Sequence, residues 1–267
     1  MKALIATAAF SCVAWAQDSG LKARELFYTP PPTDAAPAKK SVPARPPVPA
    51  KPPVNQTQTT VPVVNAANVP LGLRYSVMKR DASGKFVEVD QDSTFRSGDR
   101  IRLMADTNTA GYLYVVMQGS SGNWRLLFPS ADVDGGNNRI EKGTSQQIPP
   151  GDKGQFVFDE QSGTEKLFLV LSRRPETDLD KLIYAINGTS SQGDRRLIAG
   201  AKIDSDVVNR LRDEVKSRDL VFEKVDEMSL KYDGTNDVKT EKATYVVNPS
   251  RGDDARLVVD VALKHGK

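Results

Sequence analysis

Between residues 30 and 70 the chain holds 12 of its 17 prolines, and no aromatic residue occurs between Tyr28 and Tyr75. Proline has no backbone N–H and a fixed φ, so a run this dense neither continues a helix nor sits inside a sheet. Ala, Lys, Val, Thr and Asn fill most of the remaining positions. Such a segment buries too little apolar surface to offset the entropy of ordering it. The sequence therefore predicts a disordered linker over 30–70 and confines the folded body to 71–267. As polyproline II, at about 3.1 Å per residue, the linker would reach at most roughly 125 Å. Its four basic residues, Lys39, Lys40, Arg45 and Lys51, face only Asp34. They could touch an anionic surface, but a solvated spacer is the simpler reading.

Ahead of the linker lie two short pieces. Residues 1–16, MKALIATAAFSCVAWA, combine Lys2, an apolar run from Ala3 to Val13 and the small-residue pattern Ala14-Trp15-Ala16. These are the parts of a secretory signal peptide, predicted to be cut between Ala16 and Gln17. The alternative, an uncleaved anchor, is disfavoured because about 14 apolar or small residues fall short of the roughly 20 that span a bilayer. No other segment of the sequence is apolar and long enough to cross. An extracytoplasmic location, periplasmic or secreted, is expected. Cleavage would remove Cys12, the single cysteine, so the body must fold without disulfides in a compartment where small domains often use them. Residues 17–29 carry the apolar cluster Leu26-Phe27-Tyr28. On a helix Ala23 and Phe27 share one face, while Leu21, Arg24 or Glu25, and Tyr28 share another. Three readings stand: a docking peptide whose partner contacts are Leu26, Phe27 and Tyr28, a segment that folds back onto its own domain, or a segment with no role.

The single cysteine, lost on cleavage, and the single histidine, His265, exclude a Cys/His zinc site and a Cys-His dyad within one copy of a cleaved chain. The net charge is +3; Lys2 supplies one positive charge and residues 17–70 supply three, leaving the body from residue 71 at −1. A nearly neutral body argues against a nucleic-acid binder.

From Leu71 the hydrophobic period is two. Leu73, Tyr75 and Val77 alternate with Arg74, Ser76 and Met78, and Ile101, Leu103 and Ala105 alternate with Arg100, Arg102 and Met104. Each marks a strand with one buried face. Asp81–Gly84 and Ser97–Asp99 are turn sequences between them. Tyr112–Gln118 is more continuously apolar and reads as a central strand, and Gly119–Gly122 turns into a strand over Trp124–Phe128. Short strands are expected near 145–148, 154–158 and 165–172. After Pro175 the period lengthens: Leu179, Leu182, Ile183 and Ile186 predict a helix over 178–187 with Thr177 or Asp178 as N-cap. A polar loop, 187–196, then leads to a second helix over about 205–217. Strands follow at 220–225, 243–248 and 256–263. The predicted fold is mainly β: an antiparallel β-sandwich with two short helices in the C-terminal third, preceded by the linker.

Ser97-Gly98-Asp99-Arg100-Ile101-Arg102-Leu103, Gly111-Tyr112-Leu113-Tyr114-Val115 and Leu127-Phe128-Pro129 follow one another at suggestive spacing. Asn138-Arg139-Ile140, Gly143, Ile148-Pro149 and Gly163-Thr164-Glu165-Lys166-Leu167 continue the series. In that order the segment from about 74 to 175 resembles the bacterial domain of unknown function 4384 family. The resemblance implies a β-rich module of exported proteins with no established activity. The extension 176–267 lies outside it.

The search for chemistry gives weak candidates. Ser19–Lys22 and Ser76–Lys79 have the spacing of a Ser-Lys dyad, but on a strand i and i+3 point to opposite faces. The carboxylate pairs Asp132/Asp134, Asp159/Glu160 and Asp253/Asp254 sit in turn-like sequence. Asp132, Asp134 and Asn137 offer oxygen ligands for calcium but depart from the EF-hand loop. Arg251-Gly252-Asp253 matches an adhesion tripeptide and reads more simply as a turn. Trp124 could be a surface anchor for a partner or a core aromatic. The function expected is therefore a non-catalytic interaction module, without a cofactor, that binds another envelope protein or an envelope polymer. A carboxylate-dependent glycan hydrolase and a calcium-dependent adhesion or sensor module are the alternatives. Facing carboxylates in a cleft would favour the hydrolase. Converging oxygen ligands would favour calcium, and an exposed apolar patch or a long open strand edge would favour partner binding.

Overall fold

The computed structural model describes residues 22–30, 69–118, 122, 124–133, 135–187, 194–197, 202–216, 220–230 and 238–266. The predicted signal peptide, residues 31–68 of the predicted linker, Ser19 and Asp134 lie outside the described residues. In chain order the elements are helix α1 (Ala23–Tyr28), then β1 (Leu71–Arg80), β2 (Phe86–Val89), β3 (Thr94–Phe95), β4 (Arg100–Thr107) and β5 (Gly111–Gln118). Strands β6 (Trp124–Phe128), β7 (Arg139–Ile140), β8 (Gln146–Ile148), β9 (Phe156–Val157) and β10 (Gly163–Ser172) follow. The C-terminal part holds α2 (Thr177–Ile183), β11 (Tyr184–Asn187), β12 (Asp194–Leu197), β13 (Lys202–Ile203), α3 (Ser205–Lys216), β14 (Val221–Leu230), β15 (Val238–Asn248) and β16 (Arg256–His265).

The strands build two packed sheets. The first runs β14-β15-β1-β4-β8, with β2 also beside β1 and β9 beside β4; the second runs β13-β6-β5-β10-β16-β3, with β7 beside β5. Among the described residues every pairing is antiparallel except β3 with β16, and β11 with β12 makes a separate hairpin. The mainly β sandwich read from the sequence is borne out, with that one parallel edge.

Apolar side chains form three layers. The inner one lies between the sheets and joins Leu73, Tyr75 and Val77 of β1 and Ile101, Leu103 and Ala105 of β4 to Leu113 and Val115 of β5, Leu167 and Leu169 of β10, and Leu257, Val259, Val261 and Leu263 of β16. Burial along β4 alternates residue by residue, as its sequence does. β5 and β10 break that alternation because both their faces are covered. Tyr114, Val116, Phe168 and Val170 point outward, where Leu179 and Ile183 of α2 and Val207, Val208 and Leu211 of α3 close over them. The third layer lies on the outer face of the first sheet, under α1.

The C-terminal extension is not a separate unit. β15 pairs with the first half of β1, and β16 pairs with β10 along its whole length. Several local expectations change. The helix expected over 178–187 ends at Ile183, and Glu176 rather than Thr177 or Asp178 stands at its N-cap without a side-chain capping bond. The register explains the early stop: Tyr184 turns extended, pairs with Leu197, and donates its hydroxyl to the buried Gly136 carbonyl at 2.7 Å. Ile186 thus falls on β11, built from the end of the expected helix, and the polar stretch expected as a loop supplies most of its partner β12.

Candidate functional site: a seat for a helical segment

Helix α1 has six residues and an N-cap, Lys22, that makes no side-chain capping bond. An isolated helix needs about 12–15 residues to persist in water, so tertiary contacts must hold this one. The face joining Ala23 and Phe27 is the buried one. It rests on Val225 of β14 and on Ala243, Tyr245 and Val247 of β15. Phe27 meets the Tyr245 ring edge-on, at 5.3 Å between centroids. Gly72 of β1 makes this approach possible: a Cβ there would lie 2.8 Å from Phe27 Cδ2.

Charges surround the apolar contact. The Arg24 backbone N–H donates to Glu223 at 2.9 Å, and its guanidinium donates to Glu227 at 2.7 Å and to Glu241 at 3.1 Å. Behind it stands Arg74 of β1, which lies between Tyr245 and Asp106 in the strand registers. Its guanidinium donates to Asp106 at 3.0 Å, Glu88 at 2.8 Å and Glu241 at 3.0 Å. Glu241 is therefore shared: Oε1 accepts from Arg74 and from the Tyr245 hydroxyl at 2.7 Å, while Oε2 accepts from Arg24. Because the Tyr245 proton points at Glu241, Tyr28 donates across the 3.2 Å gap between the two hydroxyls.

The electrostatics follow from this packing. Burial acts against the charged form of Glu241, but Tyr245, Arg74 and Arg24 outweigh it and hold its carboxyl below the ordinary value. Burial acts likewise on Arg74, and Glu88 and Glu241 outweigh it, so its pKa is raised. Burial, then the bonds to Tyr28 and Glu241, push the Tyr245 phenol up.

The residues singled out in the sequence fall in different places. Phe27 is buried against the body, Leu26 is half-buried beside it, and Tyr28 is exposed, so the apolar cluster contacts its own domain in this state. Trp124 is a core aromatic rather than a surface anchor. It packs edge-on against Phe168 and lies under the Arg212 guanidinium, which Asp260 holds in place. Ser76 and Lys79 are not joined: Lys79 pairs with Asp99 at 2.6 Å, and the Ser76 hydroxyl faces Met78. Asn137 Oδ1 accepts from the Arg139 backbone N–H, and Asp132 from Ser130. Asp253 pairs with Arg174 at 2.9 Å. Among the described residues no group of three or more His, Cys, Asp or Glu is placed to hold a metal ion.

Sequence reading missed Gly72 and Arg74. A glycine within a strand pattern signals close approach by another group, and an arginine amid so apolar a strand signals carboxylate partners. β14 adds a second feature. Among the described residues it pairs only with β15, which leaves a ten-residue edge open, and Phe222 on it is 57% exposed. Glu223, Lys224, Asp226 and Glu227 line that edge, the kind of charge that guards a strand against unselective pairing.

Neither the curated proteins nor the solved structures give a match to this chain. One family does: residues 94–175, which supply β3 to β10, match the family described as domain of unknown function (DUF4384), bearing out the resemblance over a span that begins after β1 and β2.

Proposed function

We propose that the protein is an exported, non-catalytic β-sandwich that works by contact with another protein of the cell envelope, and that the seat on β14, β15 and β1 is its contact surface. The supporting observation is the construction of the seat. It combines a slot at Gly72 that admits an aromatic ring with carboxylates, Glu223, Glu227 and Glu241, that receive an arginine three residues earlier in the same short helix. This is recognition of an amphipathic helix by a groove, with the chain's own residues 22–29 as occupant. A partner segment with arginine and phenylalanine at the same spacing would compete for it. The open edge of β14 extends the same surface.

The hydrolase and calcium readings have less support. Glu88, Asp106 and Glu241 converge on the Arg74 guanidinium instead of on open space. Of the calcium candidates, Asp132 accepts from Ser130 and Asn137 from the Arg139 backbone N–H.

The test uses the full chain carrying Arg24→Ala and Phe27→Ala, which empties the seat. A labelled peptide of residues 20–30 should bind this variant saturably. It should bind the unsubstituted chain about tenfold or more weakly, because the tethered segment competes at high effective concentration. Equal, non-saturating association with both proteins would overturn the proposal.

A further inference from the structure

At the end of the sandwich where β5 and β7 begin and β10 ends, the second sheet sets three arginines around a cleft. Tyr112 of β5 lies opposite Arg139 of β7 on one side and opposite Ser172 of β10 on the other. The two residues after Ser172 are Arg173 and Arg174. The row Arg139–Tyr112–Ser172 thus continues into a pair of guanidinium groups, with the loop between β15 and β16 bringing Asp253 to the rim. The cleft has a volume of about 230 Å³, and Arg139, Arg173, Arg174 and Asp253 line it together with Ala110, Gly111 and Tyr112.

The side chains are held and partly dry. The Arg173 guanidinium is half-buried and donates to the Val69 carbonyl. Burial pulls its pKa below the ordinary value, with Asp253 acting in the opposite direction. Arg139 donates through Nε to Glu141 at 2.8 Å, and Arg174 through one Nη2 to Asp253 at 2.9 Å. Each guanidinium carries five N–H donors in a planar fork, so these ion pairs occupy only part of what Arg139 and Arg174 offer. Gly111 fits the floor closely, since a Cβ there would lie 2.9 Å from the Ser172 carbonyl oxygen.

We propose that this cleft is an anion-binding site that takes a phosphate group, with Arg139, Arg173 and Arg174 donating to it from three sides. A desolvated cation beside two others gains most from a ligand that brings negative charge and several acceptor oxygens. Phosphate supplies both, and it can face three forks at once where a planar carboxylate meets one or two. The site is separate from the helix seat, so either can fail without the other.

The test is NMR titration of the full chain at low salt, following the backbone amides of Gly111, Tyr112 and Arg174. Inorganic phosphate and a glycerol phosphodiester are added in separate arms. Saturable shifts with a Kd on the order of 1 mM or tighter are expected from at least one of them. Saturation by inorganic phosphate alone identifies the free ion, and saturation by the diester identifies a polymer-borne phosphate. Combined Arg139→Gln and Arg174→Gln changes, at side chains 51% and 68% exposed, should leave the fold intact and weaken binding about tenfold or more. Arg80→Gln, at the far end of β1, should change nothing. Shifts that never saturate, equal binding by the double variant, or tighter binding of glucuronate than of either phosphate would each overturn the assignment.

Discussion

Glu241 accepts from Arg74 at 3.0 Å across the outer face of the first sheet. Arg74 is thereby the common partner of Glu241, Glu88 and Asp106, and its side chain is only 13% exposed. Removing one member of a shielded ion cluster strands the others, at a cost of about 3–5 kcal/mol. Arg74→Ala should lower unfolding stability by that amount in urea. Arg24→Ala, at a side chain 35% exposed and facing more exposed Glu227, should cost about 1 kcal/mol or less. Equal losses from the two would mean that Arg74 is no hub.

The same carboxylate makes the helix seat sensitive to acid. Glu241 titrates below its ordinary value of 4.5 in the folded chain. Its contribution is therefore complete above that pH and is lost as pH falls through the lower, folded value. Glu223 and Glu227 also face Arg24, and Glu88 and Asp106 face Arg74. At the alkaline end the raised Tyr245 phenol makes a contribution present at neutral pH and lost above its folded value. The Phe27 ring resonances should stay constant near neutrality and move toward free-peptide positions below pH 4.5, ahead of those of the inner core. Glu241→Gln should flatten that acid transition.

Much of this architecture is legible in the sequence. Period-two burial in β4, the unbroken apolar runs of β5 and β10 covered on both faces, and the turn at Gly98 (φ +83°) follow directly from residue order. What is not legible depends on pairing across long separations. β11 ends an apolar stretch with helical spacing, β12 draws on polar residues that carry no strand pattern, and β2 and β3 lie among charged and turn-forming residues. The seat resisted reading for the same reason. Arg24 and Glu241 are more than two hundred positions apart, and the packing of α1 onto β14 and β15 makes them neighbours.

Gly72 offers a way to empty the seat without altering α1. Gly72→Val suits a strand backbone but places a side chain where the Phe27 ring now lies, with Asn108 atoms also within 3.1 Å of the new Cβ. The ring should be expelled while β1 remains paired. Trypsin should then cleave after Arg24 about tenfold faster or more, a change that reports local opening. Unchanged cleavage would show that Phe27 does not depend on that slot.

Tyr114 joins the central strand of the family segment to the helix that follows. Its hydroxyl donates to Asp180 at 2.8 Å and accepts the Glu176 backbone N–H at 2.9 Å, both at the start of α2. Burial, then the Asp180 charge, drive the phenol pKa up, so it remains a proton donor throughout the physiological range. Tyr114→Phe keeps the ring packing and removes both bonds. The expected loss is about 1–3 kcal/mol, measured by chemical unfolding, with amide exchange rising first at Asp180 and Ile183.

The segment matching the family is a smaller unit than the sandwich needs. Residues 94–175 include β4 but not β1, its principal partner, and include β10 but not β16. Leu73, Tyr75 and Val77 would be missing from one wall of the inner core, and Leu257, Val259, Val261 and Leu263 from the other. Both sheets would then expose long unpaired edges beside bare apolar faces, a state that favours aggregation over folding. Residues 94–175 expressed alone should therefore show no cooperative unfolding transition and poor amide dispersion. Residues 69–267 should show both a single transition and dispersed amides. A cooperative transition from the shorter piece would mean that the flanking strands decorate an autonomous domain instead of completing it.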